Sequence, residues 1–361
     1  MKTLVLSGIN LFEGGPLSIF YDCLDEIIRQ HVNEHYHIVA FVHKKNLFEK
    51  YKNDVELIEF QDSRDSYFKR LRYEYVYFYE YSKLHDVDVW FSLHDITPHV
   101  KANKIYTYCH NPSPFMKKDI TKIKYSATNV AFSFFYKYLY RINIKSATGI
   151  IVQHNWMREE FLKMFPITNV IVARPTMHVD YEYIPKAQNQ TCKTFLFASY
   201  PRYFKNFEII CEACNILKRN DFEVWFTLKG DENAYAYDLR KRYKNIKNIK
   251  WLGIQPREKV LEMYNQINYM IFPSTLESWG LPISEFKLTG KPMLLADLPY
   301  AHETLGAYDK AIFFNPYDEK ELAIEMERLL DGKEKFAIAS EQPIRQPFAK
   351  NWEELIHLIL K

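Results

Sequence analysis

The stretch from Phe272 to Glu285 reads Phe-Pro-Ser-Thr-Leu-Glu-Ser-Trp-Gly-Leu-Pro-Ile-Ser-Glu. It sets two carboxylates, Glu277 and Glu285, eight positions apart on either side of a Gly280-Leu281-Pro282 helix start. Glu277 falls in a loop after a strand. Glu285 falls about one and a half turns into the helix, where a carboxylate accepts hydrogen bonds from paired hydroxyls. Free backbone amides at such a helix start suit a phosphate. Upstream, Arg202 and Lys205 lie three apart in a strand-to-helix loop, a pairing that neutralises a diphosphate through a forked guanidinium and a point charge.

The first half supplies a second set. Gly14-Gly15-Pro16 precedes a predicted helix, where small residues let a backbone approach an anion. The spacing is neither G-x-G-x-x-G nor a P-loop. No acidic residue follows the second strand at Val42-His43, which disfavours a dinucleotide dehydrogenase. His110, followed by Asn111, ends one strand, and His94-Asp95 ends the strand before it. The run His31-Val32-Asn33-Glu34-His35 matches H-x-x-E-H, yet it lies between a helix end and a strand, not on a pocket-lining helix. No metal site is expected.

These residues need a scaffold, and the pattern of apolar runs supplies one. Short β-branched runs alternate with helix-period runs from Thr3 to Ala173, and the alternation restarts from Thr194 to Leu330. Continuous apolarity within the strands suits sheets covered on both faces. The expected fold class is α/β, with two doubly wound parallel-sheet domains and the ligand site beyond the strands' carboxyl ends. We place an N-terminal domain at residues 1–178, a C-terminal domain at 190–342, and a last helix within 343–361. The polar, proline-flanked stretch 175–192 reads as the linker.

The 361-residue length fits two domains, and 47% hydrophobic residues suffice for large cores. A net charge of +3 is too small to imply nucleic acid. The charge is uneven: residues 101–145 hold nine Lys or Arg against one acid, a local +8, interleaved with aromatics. That segment suits either an anionic membrane surface or a solvated helix face. Five scattered cysteines argue for a reducing compartment and against a disulfide framework. No apolar run is long enough to span a bilayer.

The chain resembles the family-four glycosyltransferases of the GT-B fold. Ser274, Glu277, Gly280 to Pro282 and Glu285 fit the family pattern, as do Arg202 and Lys205; Ser278 stands where the family often has glycine. The resemblance implies two Rossmann-like domains facing across a cleft, with the last helix crossing back to the first. It implies a retaining enzyme using a nucleotide-sugar donor, without a metal or other cofactor. Glu285 would hold the ribose, Glu277 the donor sugar, and Arg202 and Lys205 the diphosphate, with Gly14, Gly15 and Gly280 to Pro282 beside it. The loop around Ile254 would meet the base. His110 would lie near the reacting sugar, and His94, Asp95 and Asn111 on the acceptor side. The expected acceptor is a glycan or lipid-linked glycan of a bacterial surface polysaccharide or glycolipid. The expected location is cytoplasmic, at the inner face of the plasma membrane. The alternatives are another GT-B enzyme, such as a nucleotide-sugar epimerase, or a non-catalytic membrane-surface protein.

Overall fold

The computed structural model describes residues 1–175, 183, 192–338, 341 and 343–361. The chain divides into two compact units. The first comprises Met1–Phe115, Phe132–Thr176 and Ile344–Lys361, and the second Met116–Ala131 and Met177–Pro343. Residues 116–131, expected in the first domain, therefore group with the second. The expected linker lies almost wholly outside the described residues.

The first unit is built on β1 (Lys2–Gly8), β2 (Tyr36–Val42), β3 (Glu56–Glu59), β4 (Val87–Ser92), β5 (Ala102–Cys109), β6 (Gly149–Val152) and β7 (Val170–Ala173). The second carries β8 (Lys193–Phe197), β9 (Phe222–Phe226), β10 (Ile249–Trp251), β11 (Tyr269–Phe272), β12 (Met293–Ala296) and β13 (Ala311–Phe314); β14 (Phe348–Ala349) returns to the first sheet. The sheet orders are β14-β7-β6-β5-β4-β1-β2-β3 and β10-β9-β8-β11-β12-β13, with parallel pairing throughout.

The helices are α1 (Gly14–Arg29), α2 (Tyr67–Arg72), α3 (Phe78–Leu84), α4 (Ala127–Arg141), α5 (Asn155–Met164), α6 (Phe207–Leu217), α7 (Ala234–Tyr243), α8 (Arg257–Gln266), α9 (Leu281–Lys287), α10 (Pro299–Leu305), α11 (Glu319–Leu330) and α12 (Trp352–Leu360). Among the described residues none is long and apolar enough to cross a membrane.

Alternation along the strands explains the uninterrupted apolar runs. Leu4 and Leu6 of β1 pack with Phe20 and Leu24 of α1, while Val5 between them joins Phe41, Phe78 and Trp90 on the other face. Both faces are thus covered, as a parallel sheet requires. Helix α12 packs with α1 in the first of these cores, burying Trp352, Leu355, Ile356 and Ile359. That burial contributes roughly 6–12 kcal/mol before entropy is counted. Asn351 caps the helix by accepting from the Glu354 amide at 2.9 Å. The chain end therefore belongs to the first unit.

Two expected elements differ. The helix-period run over 66–85, one of those between Thr3 and Ala173, does not form a single helix: a π-helical turn at Tyr73–Tyr77 separates α2 from α3. The turn accompanies Glu74, which is fully buried beside Arg70 and His94, a polar contact that no apolar periodicity encodes. The first helix begins at Gly14, so Gly14 and Gly15 form its first turn instead of preceding it.

Candidate functional site

Strands β8 and β11 are sheet neighbours, so the loops leaving their carboxyl ends meet. The amide and hydroxyl of Thr275 both donate to the Phe204 carbonyl, at 2.8 and 3.0 Å. The Asn206 side chain donates to the carbonyls of Pro273 and Pro316, at 3.3 and 2.8 Å. This stitching brings Lys205 Nζ to 2.5 Å from Glu277 Oε1, with side chains only 16% and 12% exposed. Arg202 stands exposed beside Tyr200 and Phe204, 5.9 Å from each ring centre. Ser274 is fully buried, its carbonyl accepting from Tyr300 at 2.6 Å, and so anchors the loop.

The glycine at 280 is required by geometry. It caps α9 with φ at +87°, the left-handed region that residues with a Cβ avoid. Leu281 and Pro282 then open the helix, and buried Ile283 and Phe286 fix its rotation. The same rotation buries Glu285. Its Oε1 pairs with Arg257 Nη2 at 2.9 Å and its Oε2 accepts from Tyr264 Oη at 3.5 Å. Burial pushes the Glu285 carboxyl above the usual carboxylate range, and Arg257 opposes the shift.

Sequence reasoning missed both of these partners. Arg257 was discoverable as the first residue of a helix after a Gly-Ile-Gln-Pro loop; nothing marked Tyr264. Ile254 is exposed in that loop, which Gln255 holds by donating to the carbonyls of Leu252 and Gly253. Lys291 donates to the carbonyls of Tyr264, Asn265 and Ile267 at 2.6–2.9 Å and so secures the end of α8.

In the first unit the histidines behave differently from each other. His110 Nε2 donates to the Leu93 carbonyl at 2.7 Å, which assigns the ring proton to Nε2. Nδ1 is then an acceptor, buried and without a hydrogen-bond partner. Burial pushes the imidazole below its usual range, favouring the neutral ring. Asp95 holds this turn. Its Oδ1 accepts from the amides of His110 and Asn111 at 2.7 and 3.0 Å, and its Oδ2 from Tyr136 at 3.0 Å.

His94 does not form an acceptor wall. It has no exposed surface, with Nε2 2.9 Å from Ser7 Oγ and Nδ1 3.0 Å from Glu74. This Ser-His-Glu arrangement resembles a nucleophilic triad, but all three side chains are sealed from substrate. Asp95 and Asn111 are likewise committed to structure. Asn111 Oδ1 accepts from the Ser113 amide at 2.9 Å, and its carbonyl accepts from Tyr140 at 2.9 Å.

Gly8 is also structural: a Cβ there would stand 2.5 Å from the Phe20 ring. Gly14 and Gly15 are exposed, with no atom within 4 Å of an added Cβ. His31 and Glu34 form an exposed pair at 3.4 Å around a single 3-10 turn, off any long helix. Among the described residues no three His, Cys, Asp or Glu side chains form a metal-holding group.

Residues 182–345 match the family described as glycosyl transferases group 1. The match spans a little under half of the chain. Among curated proteins, the O-antigen chain mannosyltransferase B of Escherichia coli is 23% identical over 229 residues. That match covers 58% of this chain and 59% of the relative, so the similarity spans little more than half of it. Among solved structures, sucrose-phosphate synthase from Thermosynechococcus elongatus superposes with a TM-score of 0.66 at 14% identity, over 92% of this chain and 90% of that one. HepE of Anabaena, solved with UDP and glucose, gives 0.57 at 14% identity, over 99% and 95%. The fold is therefore GT-B: two parallel sheets, each flanked by helices.

Proposed function

We propose that this protein is a retaining glycosyltransferase that moves a sugar from a nucleoside-diphosphate donor to a glycan or lipid-linked acceptor. The observation that carries the reading is the stitched pair of loops that sets Lys205 against Glu277 with Arg202 alongside, at the carboxyl ends of adjacent parallel strands. In this reading Glu277 meets hydroxyls of the donor sugar, and Glu285 accepts from the ribose hydroxyls in place of Arg257. Lys205 and Arg202 neutralise the diphosphate as it leaves, and the backbone amides of Gly280 and Leu281 at the start of α9 contribute donors. The Ile254 loop meets the base.

Reaction occurs on one face of the sugar, and the departing diphosphate takes the acceptor proton. Rate enhancement then comes from positioning and from stabilising the leaving group's charge. The printed name of the O-antigen chain mannosyltransferase relative supports a place in bacterial surface polysaccharide assembly.

Nucleotide-sugar turnover tests the reading. The wild-type chain transfers a sugar from one of the UDP-, GDP- or ADP-sugars to an added acceptor, and Glu285→Ala loses at least about tenfold in kcat/KM through one or two lost charge-assisted hydrogen bonds. Unchanged turnover in that variant removes the donor-site assignment. An epimerised sugar formed without acceptor replaces transfer with epimerisation.

A further inference from the structure

Helix α4 buries one stripe and exposes another that is just as apolar. Ser133, Tyr136 and Tyr140 face the core, the two tyrosines packing with Phe161. On the opposite side, at spacings of three and four, stand Phe135 (65% exposed), Tyr138 and, just past the helix end, Ile142. A soluble helix carries polar side chains there. Exposed Arg141 and Lys145 and half-buried Lys137 accompany the stripe, and no acidic residue occurs between Asp119 and Glu159. Helix α2 meets α4 through the edge contact of Tyr67 with Phe132, ring centres 6.1 Å apart. It repeats the pattern: Phe68 is 78% exposed, followed at four-residue spacing by exposed Arg72 and Val76.

We infer that this paired-helix face is a docking surface for an anionic phospholipid bilayer, with Phe68, Phe135 and Tyr138 entering the headgroup boundary. Large apolar side chains set among cations, with no acid on the α4 stretch, match the chemistry of such an interface. A protein partner of ordinary mixed charge would set its own basic side chains against these four, with no acid on the α4 stretch to receive them, whereas a surface of anionic headgroups answers every one. The inference rests on the glycosyl-transfer reading only for its purpose, which is to hold the enzyme beside a lipid-linked acceptor; the binding itself requires no turnover.

Flotation of the full chain with vesicles tests it. The wild type floats with phosphatidylcholine vesicles containing phosphatidylglycerol, stays behind with phosphatidylcholine alone, and is released by high salt. Phe135→Ser with Tyr138→Ser, and separately Arg141→Glu with Lys145→Glu, each lower the bound fraction about tenfold or more without changing the melting temperature. Glu285→Ala, which disables the proposed donor site, floats as the wild type does, so failure of the transfer reading is distinguishable from failure of this one. The inference is overturned if anionic vesicles capture nothing, if both double variants float unchanged, or if the serine variant instead converts a dimer to a monomer in sedimentation.

Discussion

Asp95 offers the sharpest test of the architecture around His110. Its backbone lies in the left-handed region, φ +74°, and its carboxylate accepts from the amides of His110 and Asn111 and from the hydroxyls of Tyr136 and Tyr140. Replacement by alanine orphans three donors, since Tyr140 keeps the Asn111 carbonyl at 2.9 Å. An unsatisfied buried donor costs about 1–3 kcal/mol, and partial rebonding to water brings the sum to about 3–5 kcal/mol. A Cβ-bearing residue without a local side-chain hydrogen bond adds about 1 kcal/mol of left-handed strain. Glycine removes that strain but not the orphaned donors, so Asp95→Gly falls about 1 kcal/mol short of alanine. Asparagine keeps one oxygen for the two amides, turns its NH2 toward the Tyr136 oxygen and tolerates the backbone, so it loses only about 1 kcal/mol. Urea unfolding followed by tryptophan fluorescence and circular dichroism should rank the losses as asparagine, glycine, then alanine. An alanine variant within about 1 kcal/mol of wild type, or a reversed order, refutes the keystone role.

Two further outcomes follow from buried polar groups. Burial raises the Glu285 carboxyl pKa above its ordinary 4.5, so the folded chain binds that proton more readily than the unfolded chain. The carboxyl's stability contribution is therefore present below the unfolded value and is lost as pH rises through the folded one. Glu285→Gln should thus melt higher than wild type at pH 7, with the difference vanishing as pH falls below about 4, while nucleoside-diphosphate binding drops; thermal melts across pH and calorimetry check both. Lys291→Met removes three hydrogen bonds to the carbonyls that end α8 and should destabilise by about 2 kcal/mol in urea unfolding.

Much of the fold was legible in the sequence because a parallel sheet covered on both faces writes itself as uninterrupted apolar strands. The runs at Leu4–Leu6, Val89–Phe91 and Met293–Ala296 are buried in the structure along their whole length. The last helix was also readable, since Trp352, Leu355, Ile356 and Ile359 form one stripe. Two-residue β14 was not, because a pair of residues has no periodicity to read. The π-helical turn escaped for a related reason: it accompanies buried Glu74, and polar burial leaves no mark in an apolar pattern.

The candidate site divides along the same line. The sequence by itself named Arg202, Lys205, Glu277 and Glu285, because their types and local spacing suit a diphosphate and hydroxyls. It also placed them correctly at strand ends and on a helix opened by Gly280. Only the tertiary structure decided which of them touch. Lys205 and Glu277 are 72 positions apart and become a pair because β8 and β11 are neighbours. Glu285 gains Arg257 and Tyr264 through the packing of α8 against α9. Burial, likewise invisible in one dimension, separated two similar histidines: His94 is sealed against Ser7 and Glu74, while His110 keeps an acceptor nitrogen without a partner. Spacing along the chain fixes what a segment can become, but hydrogen-bond partners and desolvation depend on distances that exist only once the sheets have formed.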